Sequence, residues 1–386
     1  MLPLKLRSLI SLFENKKLGM QILKPIKAIY EFIIWQSICW KSKRRLKKHF
    51  GNKLFHDPKL PNLRVTRISI PQIPNLFSFN PASFYDRKTG QLRSIYRVSS
   101  WGCNRVRSYR GHMPYEKTSG NFLGSHWDST FVYNHLAEIN HSKPYESRVW
   151  HKFSIESNLE DPKHFQDDDN NDWILCSKVT FTKSSVKRVF YHKICAIRIT
   201  DAYKIEFQSP FNLTTEKNWV PISCNQRVLK VLYSNNPLMI INLNLKTGAI
   251  ESMFKSKNDN FPTHGGSSFV PLSQDYFLRI SRIKFPSPNM GFVYMSILSI
   301  HNREYEEILQ SRPFIFEGLG VEICNSLILD ESKGKAIFSW GREDKDVMIG
   351  EIEIKSLFSW LLDNCHLSKP ENESDLLNLK MIIGKL

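Results

Sequence analysis

From about residue 64 onward, short runs of β-branched and aromatic residues recur between turn signals, with no long helical period among them until about residue 355. The runs at 93–98, 173–181, 186–199, 227–233, 238–243, 269–280, 293–300, 336–340 and 347–354 are examples. Asp86-Arg87-Lys88-Thr89-Gly90, Leu245-Lys246-Thr247-Gly248 and Asp330-Glu331-Ser332-Lys333-Gly334 each end on a glycine, where a tight hairpin needs positive φ. The pattern predicts roughly fifteen to twenty strands. An antiparallel all-β body built this way is a propeller, a pair of sandwiches or a barrel, and about five blade-sized intervals fit.

The ends of the chain read differently. In residues 1–60, Leu4, Leu9, Ile10, Leu12 and Phe13 fall at helical spacing, and Ile26, Ile29, Tyr30, Ile33, Ile34 and Ile38 repeat that period after Pro25. The same segment holds fourteen Lys/Arg against Glu14, Glu31 and Asp57, or +11 of the formal +17, so the remaining 326 residues carry only +6. A nucleic-acid partner for the body is not expected. The basic segment reads either as an anchor for a membrane surface or an anionic polymer, or as a solvated helix packed on the body. Pro58, Pro61, Pro71 and Pro74 suggest a linker, and Leu357, Trp360, Leu361, Leu376, Leu377 and Leu379 a return to helix around a polar break at 366–374. The expected division is a basic helical extension over 1–63, an all-β body over 64–356 and a helical tail over 357–386.

Seven dispersed cysteines, without CxxC or Cys/His zinc spacing, read as reduced thiols of a cytoplasmic protein. No apolar run is long enough to predict a transmembrane helix, and no secretory leader is expected. The acidic run 167–172 lacks the EF-hand spacing and closing Glu, so it is expected to be a polar hairpin tip, and no metal site is expected. No GxSxG elbow is present.

Four clusters at strand ends concentrate charge, Gly or Pro where a plain strand would alternate. In Glu160-Asp161-Pro162-Lys163 the proline forces a turn, and two adjacent carboxylates on extended chain face opposite ways, so one can enter a pocket as a general acid. Its alternative is an acidic surface turn. Glu216-Lys217-Asn218-Trp219-Val220-Pro221 offers a point charge for a phosphate or carboxylate, an amide for a hydroxyl and an indole face for a sugar; its alternative is a salt bridge beside a core Trp. His264-Gly265-Gly266-Ser267 allows close backbone approach and an anion nest, or is simply a Gly-rich turn. Ser339-Trp340-Gly341-Arg342-Glu343-Asp344 ends a strand in mixed charge, as a hairpin tip would.

Taken in order, Asn80-Pro81, Tyr96-Arg97, Glu160-Asp161-Pro162, Glu216-Lys217-Asn218-Trp219-Val220-Pro221, Tyr233 with Asn236-Pro237, His264-Gly265-Gly266-Ser267 and Phe338-Ser339-Trp340-Gly341 with Asp344 resemble the β-mannoside phosphorylases and hydrolases of glycoside hydrolase family 130, and the β-mannosyltransferases similar to them. The resemblance covers about residues 75–355. It implies a five-bladed β-propeller with an axial pocket, Asp161 as general acid, and Arg97, Lys217 and His264 holding phosphate. Glu160, Lys163, Asn218, Trp219 and Asp344 are the implied substrate contacts. No cofactor is implied; inorganic phosphate or a nucleotide sugar is the co-substrate, and an oligosaccharide or glycan the partner. The family's Arg after Pro is Lys163 here, which loses a bidentate fork, and Ser267-Ser268 stands where a Thr-Pro-like pair is usual. These departures weigh against phosphorolysis more than against the fold. The expectation is therefore a carbohydrate-active enzyme that cleaves or transfers a glycosyl unit, the mannosyl unit foremost. The rival readings are a non-catalytic glycan-binding propeller and an anionic-polymer scaffold acting through residues 1–60.

Overall fold

A computed structural model describes residues 19–50, 59–68, 77–99 apart from 88, 134–142, 146–147, 151–152, 159–183, 188–256, 262–287, 291–367 and 373–384. The leading apolar residues 4–13 and prolines 71 and 74 lie outside that set. The chain opens with α1 (Gly19–Phe50), followed by β1 (Arg64–Arg67) inside the stretch expected to be a linker. Next come β2 (Phe77–Tyr85), β3 (Leu92–Ser99), β4 (Asn134–Ser142), β5 (Glu146–Ser147) and β6 (His151–Lys152). β7 (Leu159–Gln166), β8 (Asp172–Lys183), β9 (Arg188–Arg198) and β10 (Lys204–Glu206) form a second group. β11 (Val220–Asn225), β12 (Val228–Asn235), β13 (Leu238–Asn244) and β14 (Ile250–Lys255) form a third. β15 (Val270–Pro271), β16 (Tyr276–Ser287), β17 (Gly291–Asn302) and β18 (Glu307–Ser311) follow. β19 (Glu322–Asp330), β20 (Lys335–Arg342) and β21 (Asp346–Glu353) precede α2 (Ile354–Asp363), β22 (Cys365–Leu367) and α3 (Glu373–Ile383).

The protein is an all-β propeller. Each group is an antiparallel meander, and the described strands fall into five sheets. Four are complete blades of at least four strands. In the remaining sheet β2, β3 and β4 are full strands, but only the two-residue β5 and β6 pair with β4 on the outer side. The expected five full blades are thus met by four and a partial one. The first and last segments of the body meet in one sheet, ordered β1-β21-β20-β19, with Arg64 opposite Glu351 and Arg67 opposite Met348.

Apolar alternation within the strands places a core between neighbouring sheets. Phe84 and Ile95 pack with Ile174 and Ile197; Trp173, Leu175 and Ala196 with Leu229, Val231 and Ile241; Leu238 and Ile240 with Phe269; Leu278 and Leu298 with Phe338 and Trp340; and Tyr96 and Val98 with Ile337 and Ile349. The tips are built as their residues predict. Asn244 Oδ1 accepts from the backbone N–H groups of Lys246 and Thr247, and Gly248 takes φ 71°. Gly334 closes its turn at φ 64°. At 167–172, Asp167 accepts from the Asn171 backbone and from the Trp173 indole, which makes the polar tip expected there.

Two terminal expectations change. The C-terminal region is not helix throughout: β22 adds to β18, Leu367 opposite Leu309 and Cys365 opposite Ser311. Leu357, Phe358, Leu361 and Leu379 share the core of the neighbouring sheets, so α2 and α3 are packed against the body. α1 also packs on it, with Leu46 buried against Ile283, Phe285 and Met295, while Lys41, Lys43, Arg44 and Lys47 are exposed. That is the geometry of the packed, solvated helix. Among the described residues, no helix is long and apolar enough to cross a membrane.

Candidate functional site

The site is built on β-bulges in the first strands of neighbouring sheets. Pairing of β2 with β3 shifts between Phe79 and Ala82, that of β7 with β8 between Glu160 and Lys163, and that of β19 with β20 between Cys324 and Ser326. Proline supplies no ladder donor, so the Asn80-Pro81 and Asp161-Pro162 steps belong at such irregularities. Asn80 and Asp161 both take φ 51° there. The three bulges meet: Asn80 Nδ2 donates to Asp161 Oδ1 at 2.9 Å, and Asn325 Nδ2 to the Asn80 carbonyl at 3.4 Å. Gly341 of β20 packs so closely on Asn80 that an added Cβ would overlap the Asn80 side chain and backbone.

Glu160 and Asp161 meet different partners, as their opposed directions on β7 require. Glu160 is 2% exposed and receives Arg97 Nη2 at 2.9 Å and Lys217 Nζ at 3.0 Å, one cation on each oxygen. Burial alone would raise its pKa, but Arg97, then Lys217 and His192, hold the carboxyl well below the usual range. Burial also acts to raise Asp161. Arg97 outweighs it, Glu160 pushes upward, and Lys163 and Lys217 pull down, leaving Asp161 below the ordinary carboxylate range.

Arg97 and Lys217, expected to hold phosphate, therefore hold the Glu160 carboxylate, and Glu160 in turn is engaged by protein cations. Lys217 remains 29% exposed and lines a cavity of about 120 Å³ with Asn218, Tyr233, Asn235, His264 and Arg279. His264 is exposed at that cavity; partial burial first, then Arg282 and Lys284, hold its imidazole below the usual value. Asn218 takes φ 66° and accepts from Arg282 Nη2 at 2.7 Å. Trp219 is 2% exposed, packed among Leu229, Val231 and Ile241, with its indole N–H donated to Glu216 at 3.3 Å. The open indole face expected for a sugar is thus a core ring, because apolar packing of the two sheets claims it. Asp344 is buried in the turn after β20, three residues beyond the Gly341 contact with Asn80.

The structure adds cations that motif reasoning missed. Lys163, Arg279 and Arg282 are buried at 2%, 1% and 5% exposure. Their charges act on one another: burial first, then Arg282 and Arg279, opposed by Asp161, bring Lys163 down to about 8. Arg279 falls to about 10 through burial, with Glu307 opposing and Arg282 assisting. Arg279 Nη2 donates to the Gly265 carbonyl, yet its Nε and Nη1, and Nη1 of Arg282, have no hydrogen-bond partner among the described residues. Buried guanidinium donors left over in this way are suited to an anion. Gly265, at φ 49°, makes room for Arg282: a Cβ there would lie 2.8 Å from Nη1 and 2.9 Å from Nη2. His192 of β9 is also buried, and burial, followed by Lys217, brings it down to about 4, so it is neutral at pH 7. Among the described residues, no group of three or more His, Cys, Asp or Glu is arranged to hold a metal ion.

No family model matches the chain. Over 222 residues it is 24% identical to β-mannosyltransferase 3 of Komagataella phaffii, a match spanning 48% of this chain and about a third of that protein's length, 36%. Among solved structures, it is similar to the β-1,2-mannobiose phosphorylase of Listeria innocua, with TM-score 0.51, 11% identity, and coverage of 77% of this chain and 96% of that one. A glycosyl hydrolase of Bacteroides ovatus aligns with TM-score 0.47, 12% identity, and coverage of 72% and 84%. The fold is that of the β-mannoside phosphorylase and glycosidase propellers, and the resemblance read from the motifs stands.

Proposed function

We propose that this chain is a carbohydrate-active enzyme that transfers a glycosyl unit, the mannosyl unit foremost, between a phosphate leaving group and an acceptor hydroxyl at Asp161. The five-bladed form of the propeller, with the site on its axis, belongs to the same reading. The observation that carries it is the pairing of an ionised, buried Asp161 with Lys163, Arg279 and Arg282, whose unused donors suit a phosphate. An ionised carboxylate is ready to accept a proton, which is the role a base needs when an acceptor hydroxyl attacks.

In the transfer direction, the acceptor oxygen forms a bond to the anomeric carbon as the bond from that carbon to the phosphate oxygen breaks. The acceptor proton passes to Asp161, and the electron pair leaves on the phosphate oxygen. The buried cations stabilise the charge that collects there. Asn80 positions Asp161 by its donor at 2.9 Å. Phosphorolysis is the same path reversed: phosphate attacks and Asp161 returns its proton to the leaving oxygen, the general-acid role read from the sequence. Attack and departure on opposite faces invert the anomeric configuration.

The test is a donor screen on purified protein. Manno-oligosaccharides with inorganic phosphate form one arm; nucleotide-activated sugars with oligosaccharide acceptors form the other. Glycan extension with nucleotide release supports transfer, and phosphate-dependent release of sugar 1-phosphate supports phosphorolysis. Asp161→Asn abolishes turnover in either case with its melting temperature kept. Wild-type turnover in that variant refutes the assignment, and glycan binding without turnover in both arms leaves a binding propeller.

A further inference from the structure

A second, larger cavity of about 550 Å³ lies beside the site, between β9 and the segment joining β10 to β11. Tyr191, His192, Gln208, Asn212, Thr214 and Glu216 are among its walls. Its size falls within the roughly 300–1,000 Å³ usual for a small-molecule site. The axial cavity, at about 120 Å³, accommodates an anion but not a chain of sugars.

The wall between the two cavities is fixed. His192 donates its backbone N–H to Thr214 at 2.9 Å and accepts from the Glu216 backbone at 3.0 Å, which ties β9 to the joining segment. Glu216 lines the larger cavity and Lys217 the axial one, so consecutive side chains serve opposite sides of one extended stretch. The His192 imidazole lies within electrostatic reach of Glu160, Asp161 and Lys217 while lining the larger cavity. A molecule in the groove would therefore abut the carboxylate that handles the proton.

Charges along the groove are already met. Glu216 accepts from Ser209 at 2.5 Å and from the Trp219 indole. Glu206 accepts from Lys178 and Lys204, each at 3.0 Å. The exposed groups left to meet a ligand are amides and hydroxyls of Gln208, Asn212 and Thr214, with Leu213 (51% exposed) at the edge. Amide and hydroxyl groups beside apolar surface suit an uncharged, hydroxyl-rich molecule.

We propose that this lateral groove is the acceptor subsite: it holds a neutral oligosaccharide whose end passes His192 to reach Asp161. The inference rests on the glycosyl-transfer reading for its orientation, but the binding site is tested apart from turnover. Linear manno-oligosaccharides of three or four units are titrated by calorimetry into wild type, Gln208→Trp and Thr214→Trp, with inorganic phosphate titrated separately into each. Melting temperatures report whether the variants fold. The expected result is that both bulky variants keep wild-type melting and phosphate affinity but weaken oligosaccharide binding at least tenfold.

Equal oligosaccharide affinity in folded groove-filled variants overturns the proposal, as does wild type that binds phosphate and no oligosaccharide. Oligosaccharide binding lost in Arg282→Met but kept in both groove variants places the sugar in the axial cavity and also overturns it. Wild type that binds the oligosaccharide in the groove but binds no phosphate sustains the groove and refutes the phosphate chemistry, so the two failures are distinguishable.

Discussion

Glu160→Gln is the sharpest test of the electrostatics at this site. The side chain keeps its size while losing the charge that faces Arg97 at 2.9 Å and Lys217 at 3.0 Å. Arg97 and Glu160 side chains are 6% and 3% exposed, so water cannot replace the lost carboxylate fully. Removing one partner of a buried ion pair costs about 3–5 kcal/mol; the 29% exposure of Lys217 argues for the lower half of that range. With an unfolding entropy of about 2.1 cal/mol/K per residue, a body spanning 64–383 has a total near 0.7 kcal/mol/K. The melting temperature should therefore fall by about 4–7 °C, measured by scanning calorimetry at pH 7 and low salt. Because Glu160 has a depressed pKa in the folded state, its stabilisation is present above the unfolded value of 4.5 and is lost as pH falls through the folded value. The gap between wild type and variant should stay constant from pH 7 to 5 and narrow below about 4.5. Inorganic phosphate should restore more stability to the variant than it adds to wild type, since the two cations then lack their carboxylate. A melting temperature within 1 °C of wild type at pH 7 refutes the buried clamp.

Gly265→Ala should cost about 1–2 kcal/mol for its left-handed backbone and push the Arg282 guanidinium aside, so calorimetry should find phosphate affinity reduced at least tenfold. Lys163, brought down to about 8, should take up a proton when phosphate binds above that pH. Titrations at pH 8.5 in buffers of different ionisation enthalpy should give binding enthalpies that differ between buffers, with no such difference at pH 6.5. The same shift makes the empty protein gain stability from this group as pH rises from about 8 towards 10.5, where the unfolded chain holds the proton and the folded one does not. Asn80→Asp keeps a residue type that tolerates φ 51° but sets a carboxylate beside Asp161, so the acidic limb of the rate profile should move to higher pH. An unmoved limb would remove Asp161 from the proton transfer.

The parts legible in the sequence are those governed by local backbone chemistry. Asn80-Pro81 and Asp161-Pro162 mark bulges because proline breaks a ladder wherever it stands, and the turn glycines at 248 and 334 mark tips by the same logic. The missed parts depend on what a neighbouring sheet presents. Arg279 and Arg282 are three residues apart on β16, opposite faces of an ideal strand, and only the irregular pairing of His264 with Arg282 brings both to the site. His192 lies within a plain run of β9 and gains meaning only where the joining segment crosses it. β22 is three residues long and acquires its structure from β18. Trp219 was misread because its apolar neighbours are contributed by other strands. The expected roles of Arg97 and Lys217 changed because Glu160, read as a substrate contact, occupies them both.

The pairing of Arg64 with Glu351 also sets an order of events during synthesis. β1 emerges early but has no partner until about 290 further residues have been made. Until then the chain can form its separate meanders but cannot join its two ends, and the outer edge of β21, once made, is open to any other extended strand. A chain released before residue 351 leaves β1 without a place, and one that starts after residue 67 leaves the finished sheet with a bare edge. Cells starved late in translation should therefore accumulate aggregated fragments of this protein, and chains cut just before residue 64 should not share that fate.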